Sequence, residues 1–172
     1  MLLRDALDVT RGGMVSLIGA GGKTTTLFRL AKELRDQGCK LLVTTTTKFS
    51  KPTKPHIDRL FLVDDVQALL DACADIAAPT IIGAGCGVNR EGELLGMPTQ
   101  WLDRLNLDGA FDAILVEADG AASRLFKIPA HGEPVIPESC QTTVWIVAIK
   151  ILGKPLTDEW VHGSARAREL LG

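Results

Sequence analysis

Apolar positions along the chain gather into short unbroken runs instead of alternating with polar ones. The runs cover residues 14–18, 41–45, 60–63, 80–83, 113–116 and 143–149, and β-branched residues are concentrated in them. Runs of this kind are expected of strands covered on both faces by helices, which is the situation of a parallel sheet. Between the runs the spacing becomes helical. Leu27, Leu30, Ala31 and Leu34 recur at i, i+3, i+4 and i+7. Val66, Leu69, Leu70 and Cys73 do the same behind Asp64 and Asp65, whose short acidic side chains suit a helix cap. Pro98 suits the first turn of a helix carrying Trp101, Leu102 and Leu105. Strands that alternate with helices predict an α/β fold with a doubly wound, mostly parallel sheet. Ligands of such a sheet sit at the carboxyl ends of its strands.

Three segments fall outside this alternation. Residues 87–96 are punctuated by glycine and read as a small hairpin or flap at the sheet edge. Residues 118–141 contain Pro129, Pro134 and Pro137 and are long for a connection inside a compact domain, as functional loops often are. Near the end, Thr157 followed by Asp158 and Glu159 predicts a helix start, with Gly163 breaking that helix.

The first apolar run leads directly into Gly19-Ala20-Gly21-Gly22-Lys23-Thr24-Thr25, and the helical stripe begins just beyond it. A strand, a glycine loop, a lysine and hydroxyls in this order read as a phosphate cradle. Backbone N–H groups of the loop turn toward phosphate oxygens, Lys23 supplies a mobile positive charge, and Thr24 offers a hydroxyl to Mg²⁺. The longer form of the pattern has a glycine six residues before the lysine. Leu17 stands there, so this is the shorter G-x-x-G-K-T loop. It predicts a three-layer sandwich of the P-loop NTPase kind, binding ATP or GTP with Mg²⁺. No Asn-Lys-x-Asp motif that would select guanine follows the later strands, which favours ATP.

The fifth run ends in two carboxylates, Glu117 and Asp119, two residues apart. In P-loop proteins an acid at the end of a neighbouring strand holds the Mg²⁺, usually through water. Glu117 directly follows the apolar run, and Asp119 fills the role if the strand extends by two residues. Lys23, Glu117 and Asp119 are therefore the candidate catalytic groups, and Thr24, Glu117 and Asp119 the candidate metal ligands. Thr44–47 close the second run and lead into Lys48. One or two of these hydroxyls contact phosphate or the metal, or they fill positions that favour β-branching. Thr47 and Lys48, with His131 and Glu133 from the proline-stiffened loop, are the candidate substrate contacts.

Composition narrows the picture. The chain has 172 residues, 46% of them hydrophobic and 23% charged, enough for one α/β domain with a real core. A formal charge of −2 and the lack of a long Lys/Arg run remove the electrostatic footprint of a nucleic-acid binder. No uninterrupted apolar stretch reaches bilayer-spanning length, so neither a membrane nor a nucleic acid is an expected partner, and the expected location is the cytoplasm. Cys39, Cys73, Cys86 and Cys140 are scattered, with no metal-clip or redox spacing.

Taken in order, residues 16–26, Leu42-Val43-Thr44-Thr45-Thr46-Thr47-Lys48, Val116-Glu117-Ala118-Asp119-Gly120-Ala121, Glu133-Pro134-Val135-Ile136-Pro137 and Gly153-Lys154-Pro155-Leu156 resemble the YqeC family. That family is described as selenium-dependent hydroxylase accessory proteins. The resemblance implies a P-loop-like NTPase or phosphotransferase that assists maturation of selenium-dependent molybdenum hydroxylases. Its partners would be such a hydroxylase or its cofactor-maturation enzymes. Members tend to be longer, so residues 1–172 read as the nucleotide-binding domain of a shortened or truncated member. Two other functions fit the residues. The short loop also resembles that of the Mur and folylpolyglutamate ligases, which activate a carboxylate with ATP, and a non-catalytic nucleotide-gated scaffold needs the same cradle.

Overall fold

A computed structural model describes residues 2–9, 11–121 and 123–171. In chain order its elements begin with α1 (Leu3–Ala6), β1 (Gly13–Gly19), α2 (Lys23–Arg35), β2 (Lys40–Thr45), β3 (Lys48–Ser50) and β4 (Arg59–Leu62). Next come α3 (Val66–Cys73), β5 (Thr80–Gly85), β6 (Gly87–Val88), β7 (Glu93–Leu95), α4 (Thr99–Asp108) and β8 (Ala113–Glu117). The chain continues through β9 (Phe126–Lys127), β10 (Thr142–Ile146), a 3₁₀ turn (Ile149–Ile151), β11 (Val161–His162) and α5 (Ser164–Leu171).

The six apolar runs become one six-stranded sheet in the order β10-β1-β8-β2-β5-β4. Every pairing in it is parallel. Side chains alternate between the faces with period two, so one run feeds two cores. Val15, Leu17, Leu41, Val43, Ala113 and Leu115 pack with Leu27, Leu30, Ala31 and Leu34 of α2 on one face. Met14, Leu42, Ile114 and Val116 pack with Leu69 and Cys73 of α3 and Leu102 and Leu105 of α4 on the other. Helices thus cover both faces of the sheet, and the fold is α/β in three layers.

Local chemistry accounts for some of the boundaries. Asp65 caps α3 by accepting the Ala68 N–H at 2.8 Å. Pro98 stands at the cap of α4 and not within its first turn, which starts at Thr99. The last of the six apolar runs forms β10, which stops at Ile146, and Ile149–Ile151 turn as 3₁₀.

Two expectations about the irregular segments change. The hairpin of β6 and β7 forms, but it joins β3 in a separate antiparallel sheet, β3-β7-β6, and does not extend the main sheet edge. Gly96 is the reason for its position. A Cβ there would lie 2.4 Å from the Thr46 carbonyl carbon, so only glycine lets the hairpin reach the end of β2. No helix starts at Thr157. Residues after it turn and form β11 beside β9, and α5 begins beyond Gly163, since Val161 and His162 find a parallel partner in Phe126 and Lys127.

Candidate functional site

The carboxyl ends of β1, β8 and β2 meet because their register leaves no slack. Leu17 of β1 and Thr45 of β2 both stand opposite Glu117 of β8. The Thr45 hydroxyl donates to the Glu117 carbonyl at 2.8 Å, and the Ala118 N–H donates to Leu17 at 3.0 Å. Ala113, Leu115 and Glu117 alternate onto one face of the sheet, so the Glu117 side chain emerges on the α2 side, under the first turn of that helix.

The glycine loop crosses this junction in a shape that needs its glycines. Gly19 and Gly21 have φ of +91° and +77°. A Cβ on Gly19 would fall 2.2 Å from the Ile146 carbonyl oxygen, and one on Gly21 would fall 2.3 Å from the Ala148 Cβ. Both conformation and space exclude a side chain. Gly19→Ala is expected to lower the unfolding free energy by about 3 kcal/mol, combining left-handed strain with overpacking. Denaturant midpoints measure it, and a loss below about 1 kcal/mol would mean that the loop does not follow this path.

Within the loop the N–H groups divide into two sets. That of Gly19 donates to Asp119 Oδ2 at 2.9 Å, and that of Ala20 to the Ile146 carbonyl at 2.9 Å. Those of Gly21, Gly22, Lys23, Thr24 and Thr25 have no partner among the described residues, since the first bond inside the helix runs from the Thr26 N–H to the Gly22 carbonyl. These unpaired donors belong to residues that line a cavity of about 570 Å³. At the start of a helix they carry partial positive charge and together make an anion-binding surface.

Lys23 is 5% exposed and turned inward. Its Nζ donates to the Gly19 carbonyl at 2.7 Å and lies 2.9 Å from Asp119 Oδ1 and 3.7 Å from Glu117 Oε1. The two acids have different surroundings. Asp119 is fully enclosed behind the loop, which it holds through the Gly19 N–H. Glu117 lines the cavity, and its Oε2, like Asp119 Oδ1, is buried with no hydrogen-bond partner among the described residues. Burial raises its pKa to about 7, reinforced by the Asp119 charge and opposed by Lys23. Glu117 and the cavity-lining Thr24 are hard oxygen donors of the kind a Mg²⁺ ion takes, whereas Asp119 is not among the cavity-lining residues and has one oxygen on the Gly19 N–H and the other beside Lys23.

The other sequence candidates are scattered. Lys48 and Glu133 line the cavity, and Thr47 and His131 are not among its lining residues. The Thr47 N–H is bonded instead to the Thr45 hydroxyl at 3.0 Å, and His131 is exposed. The preceding threonines serve the backbone, with Thr44 donating to Ala84 at 2.8 Å and Thr46 to Val135 at 2.6 Å. Cys86 is half-buried, and burial together with the nearby Asp64 charge raises its thiol pKa, so it stays protonated.

Sequence reasoning missed two groups. His162 lines the cavity because β11 pairs with β9, a contact between segments distant in sequence. Lys127 is enclosed completely. It donates to the Gly120 carbonyl and to Glu133 Oε2 at 2.7 Å. Burial works against the Glu133 charge, but Lys127, the Ala130 N–H and the nearby His162 outweigh it and hold the carboxyl below the usual range. A lone lysine between Phe126 and Ile128 was the available signal.

No solved structure matches the chain. The YqeC protein of Escherichia coli (strain K12) is 32% identical over 162 residues, covering 94% of this chain and 62% of the relative, so the chain spans less than two thirds of that relative's length. The profile of the family described as YqeC protein matches residues 15–165, a range that holds the loop, both acids, Lys127 and His162. On these two findings the chain belongs to the YqeC family.

Proposed function

We propose that this protein binds a nucleoside triphosphate, ATP in preference to GTP, together with Mg²⁺, and hydrolyses it or transfers its terminal phosphoryl group. One observation carries the reading. Five consecutive N–H groups, from Gly21 to Thr25, lack partners among the described residues, at a helix start whose residues line the cavity that Glu117 also lines. A polyphosphate satisfies these donors, and Lys23 moves from the acids to the phosphate oxygens.

Catalysis here is positioning and charge stabilisation. The amides hold the phosphate chain in line, and Lys23 stabilises charge on the leaving oxygens. The bond from the γ-phosphorus to its bridging oxygen breaks, its electrons stay with the diphosphate, and the oxygen of water or of an acceptor bonds to phosphorus and gives up its proton, by way of the transferred phosphate oxygens, to solvent. Bound Mg²⁺ would neutralise the same charge, held by Thr24 and Glu117, while Asp119 stays behind the loop on the Gly19 N–H.

The biological setting we propose, in which the reaction assists maturation of selenium-dependent molybdenum hydroxylases in the cytoplasm, extends the resemblance to the YqeC family beyond the membership itself. No described helix is long and apolar enough to cross a membrane. Calorimetry with Mg·ATP and Mg·GTP, followed by phosphate release, tests the proposal. The expected result is saturable 1:1 binding, tighter for ATP, with release of phosphate. Binding without release favours the nucleotide-gated scaffold, and no binding of either nucleotide overturns the reading.

A further inference from the structure

Lys127 has no part in the reaction described above, yet it heads the fully buried side chains of the molecule by volume. It belongs to a row of charges that leaves the cavity wall at Glu117, passes through the buried Lys23, Asp119 and Lys127, and returns to the cavity wall at Glu133. Glu117 lies 3.7 Å from Lys23, Lys23 2.9 Å from Asp119, Asp119 3.8 Å from Lys127, and Lys127 2.7 Å from Glu133. Lysines and carboxylates alternate along it, and both lysines reach toward Asp119, one to each carboxylate oxygen.

Phosphate binding at the loop sets a problem that this row can solve. The Lys23 ammonium is committed to the Gly19 carbonyl and Asp119, so reaching an anion in the cavity means leaving a carboxylate that is 1% exposed. A buried carboxylate stripped of its cation is strongly disfavoured, and that penalty would be charged against nucleotide affinity. The Gly19 N–H remains on Asp119 but carries no full charge. Lys127 can supply one, since its flexible stem needs only a small movement to turn a 3.8 Å approach into a contact.

We propose that Lys127 is a positioning residue for the phosphate site, a movable counter-ion that takes over Asp119 when Lys23 leaves for phosphate and in doing so releases Glu133. The inference rests on the nucleotide-binding reading. It makes Glu133 the output of the site, because this half-buried, cavity-lining carboxylate keeps its cation only while the loop is empty. Glu133 also accepts the Ala130 N–H at 3.1 Å and so fixes the turn of the proline-rich loop, whose Val135 N–H is bonded to the Ala118 carbonyl just after β8. Nucleotide occupancy is thereby coupled to the position of that loop.

The test is a double-mutant cycle read by Mg·ATP affinity, with thermal melts run alongside. Lys127→Met is expected to weaken binding by roughly tenfold or more, and Glu133→Gln to strengthen it roughly fivefold by leaving Lys127 free for Asp119. The gain from Glu133→Gln should vanish when Lys127→Met is also present. Unchanged affinity in Lys127→Met overturns the proposal. So does a gain that persists in the double variant, because direct repulsion between Glu133 and the nucleotide would then explain it. Should Lys127→Met not fold, the Ala130 amide resonance of the unaltered chain decides the matter. It moves on Mg·ATP addition if Glu133 is released and stays fixed if it is not. An unaltered chain that binds no nucleotide overturns the functional reading itself, an outcome separate from those above.

Discussion

Replacing Lys23 with alanine is expected to reduce Mg·ATP affinity by about 100-fold and phosphate release to background, because one side chain supplies the only mobile cation proposed for the phosphate oxygens. The same change removes a buried partner from Asp119 and Glu117, which lie 2.9 and 3.7 Å away. Breaking a buried pair on one side costs about 3 kcal/mol. Glu117 can relieve part of that cost by taking up a proton. The variant should therefore unfold at a lower denaturant concentration and, under conditions where it is still folded, show no turnover. An affinity within threefold of the unaltered chain would remove Lys23 from phosphate contact.

The second large effect is a pH dependence of stability carried by Glu117. Its pKa in the folded protein stands at about 7, above the ordinary carboxylate value that it has in the unfolded chain. The folded state therefore holds a proton that the unfolded chain has already lost between about pH 4.5 and 7, and stability falls as pH rises through that window. At pH 8 the ionised carboxylate costs on the order of 3 kcal/mol, and below about pH 4.5 it costs nothing. Glu117→Gln keeps the shape and removes the charge. We expect the variant to be more stable than the unaltered chain by about that amount at pH 8 and equal to it near pH 4.5, measured by denaturant unfolding without added Mg²⁺. A difference that does not change with pH would mean that Glu117 is not buried beside Asp119.

The sheet was legible in the sequence because its four inner strands, β1, β8, β2 and β5, are buried on both faces, so a local run of apolar residues reports a global position, and the edge strands β10 and β4 carry apolar runs too although Trp145 and Leu62 are exposed. The same holds for α2, whose stripe of Leu27, Leu30, Ala31 and Leu34 needs only one covered face. Features fixed by distant partners were not legible in this way. Thr157 looks like a helix cap, but Val161 and His162 pair with Phe126 and Lys127, more than thirty residues upstream, and that pairing overrides the local signal. The hairpin of β6 and β7 was visible, and its place beside β3 was not, because Gly96 permits that approach only once β2 is in position.

At the site, the loop and both carboxylates were identifiable from residue type and order. Their division of labour required coordinates. Asp119 and Glu117 differ by two residues in sequence, yet one binds the Gly19 N–H behind the loop and the other borders the cavity. Likewise, His131 and His162 are equivalent in chemistry, and only the β9–β11 pairing places His162 at the cavity wall. A buried lysine such as Lys127 escapes sequence reading for a similar reason. Its counter-charges, Asp119 and Glu133, lie eight and six residues away in opposite directions, in segments with no regular periodicity to bring them together on paper.

The claim on which this account depends is that the N–H groups from Gly21 to Thr25 receive a polyphosphate. Backbone amide NMR of the ¹⁵N-labelled chain titrated with Mg·ATP measures it directly. The account predicts saturable shifts centred on Gly21, Gly22, Lys23, Thr24 and Thr25, with Ala20 retaining its bond to Ile146 and moving little. Resonances of those five residues that stay fixed at millimolar nucleotide, or shifts confined to another part of the surface, would contradict it.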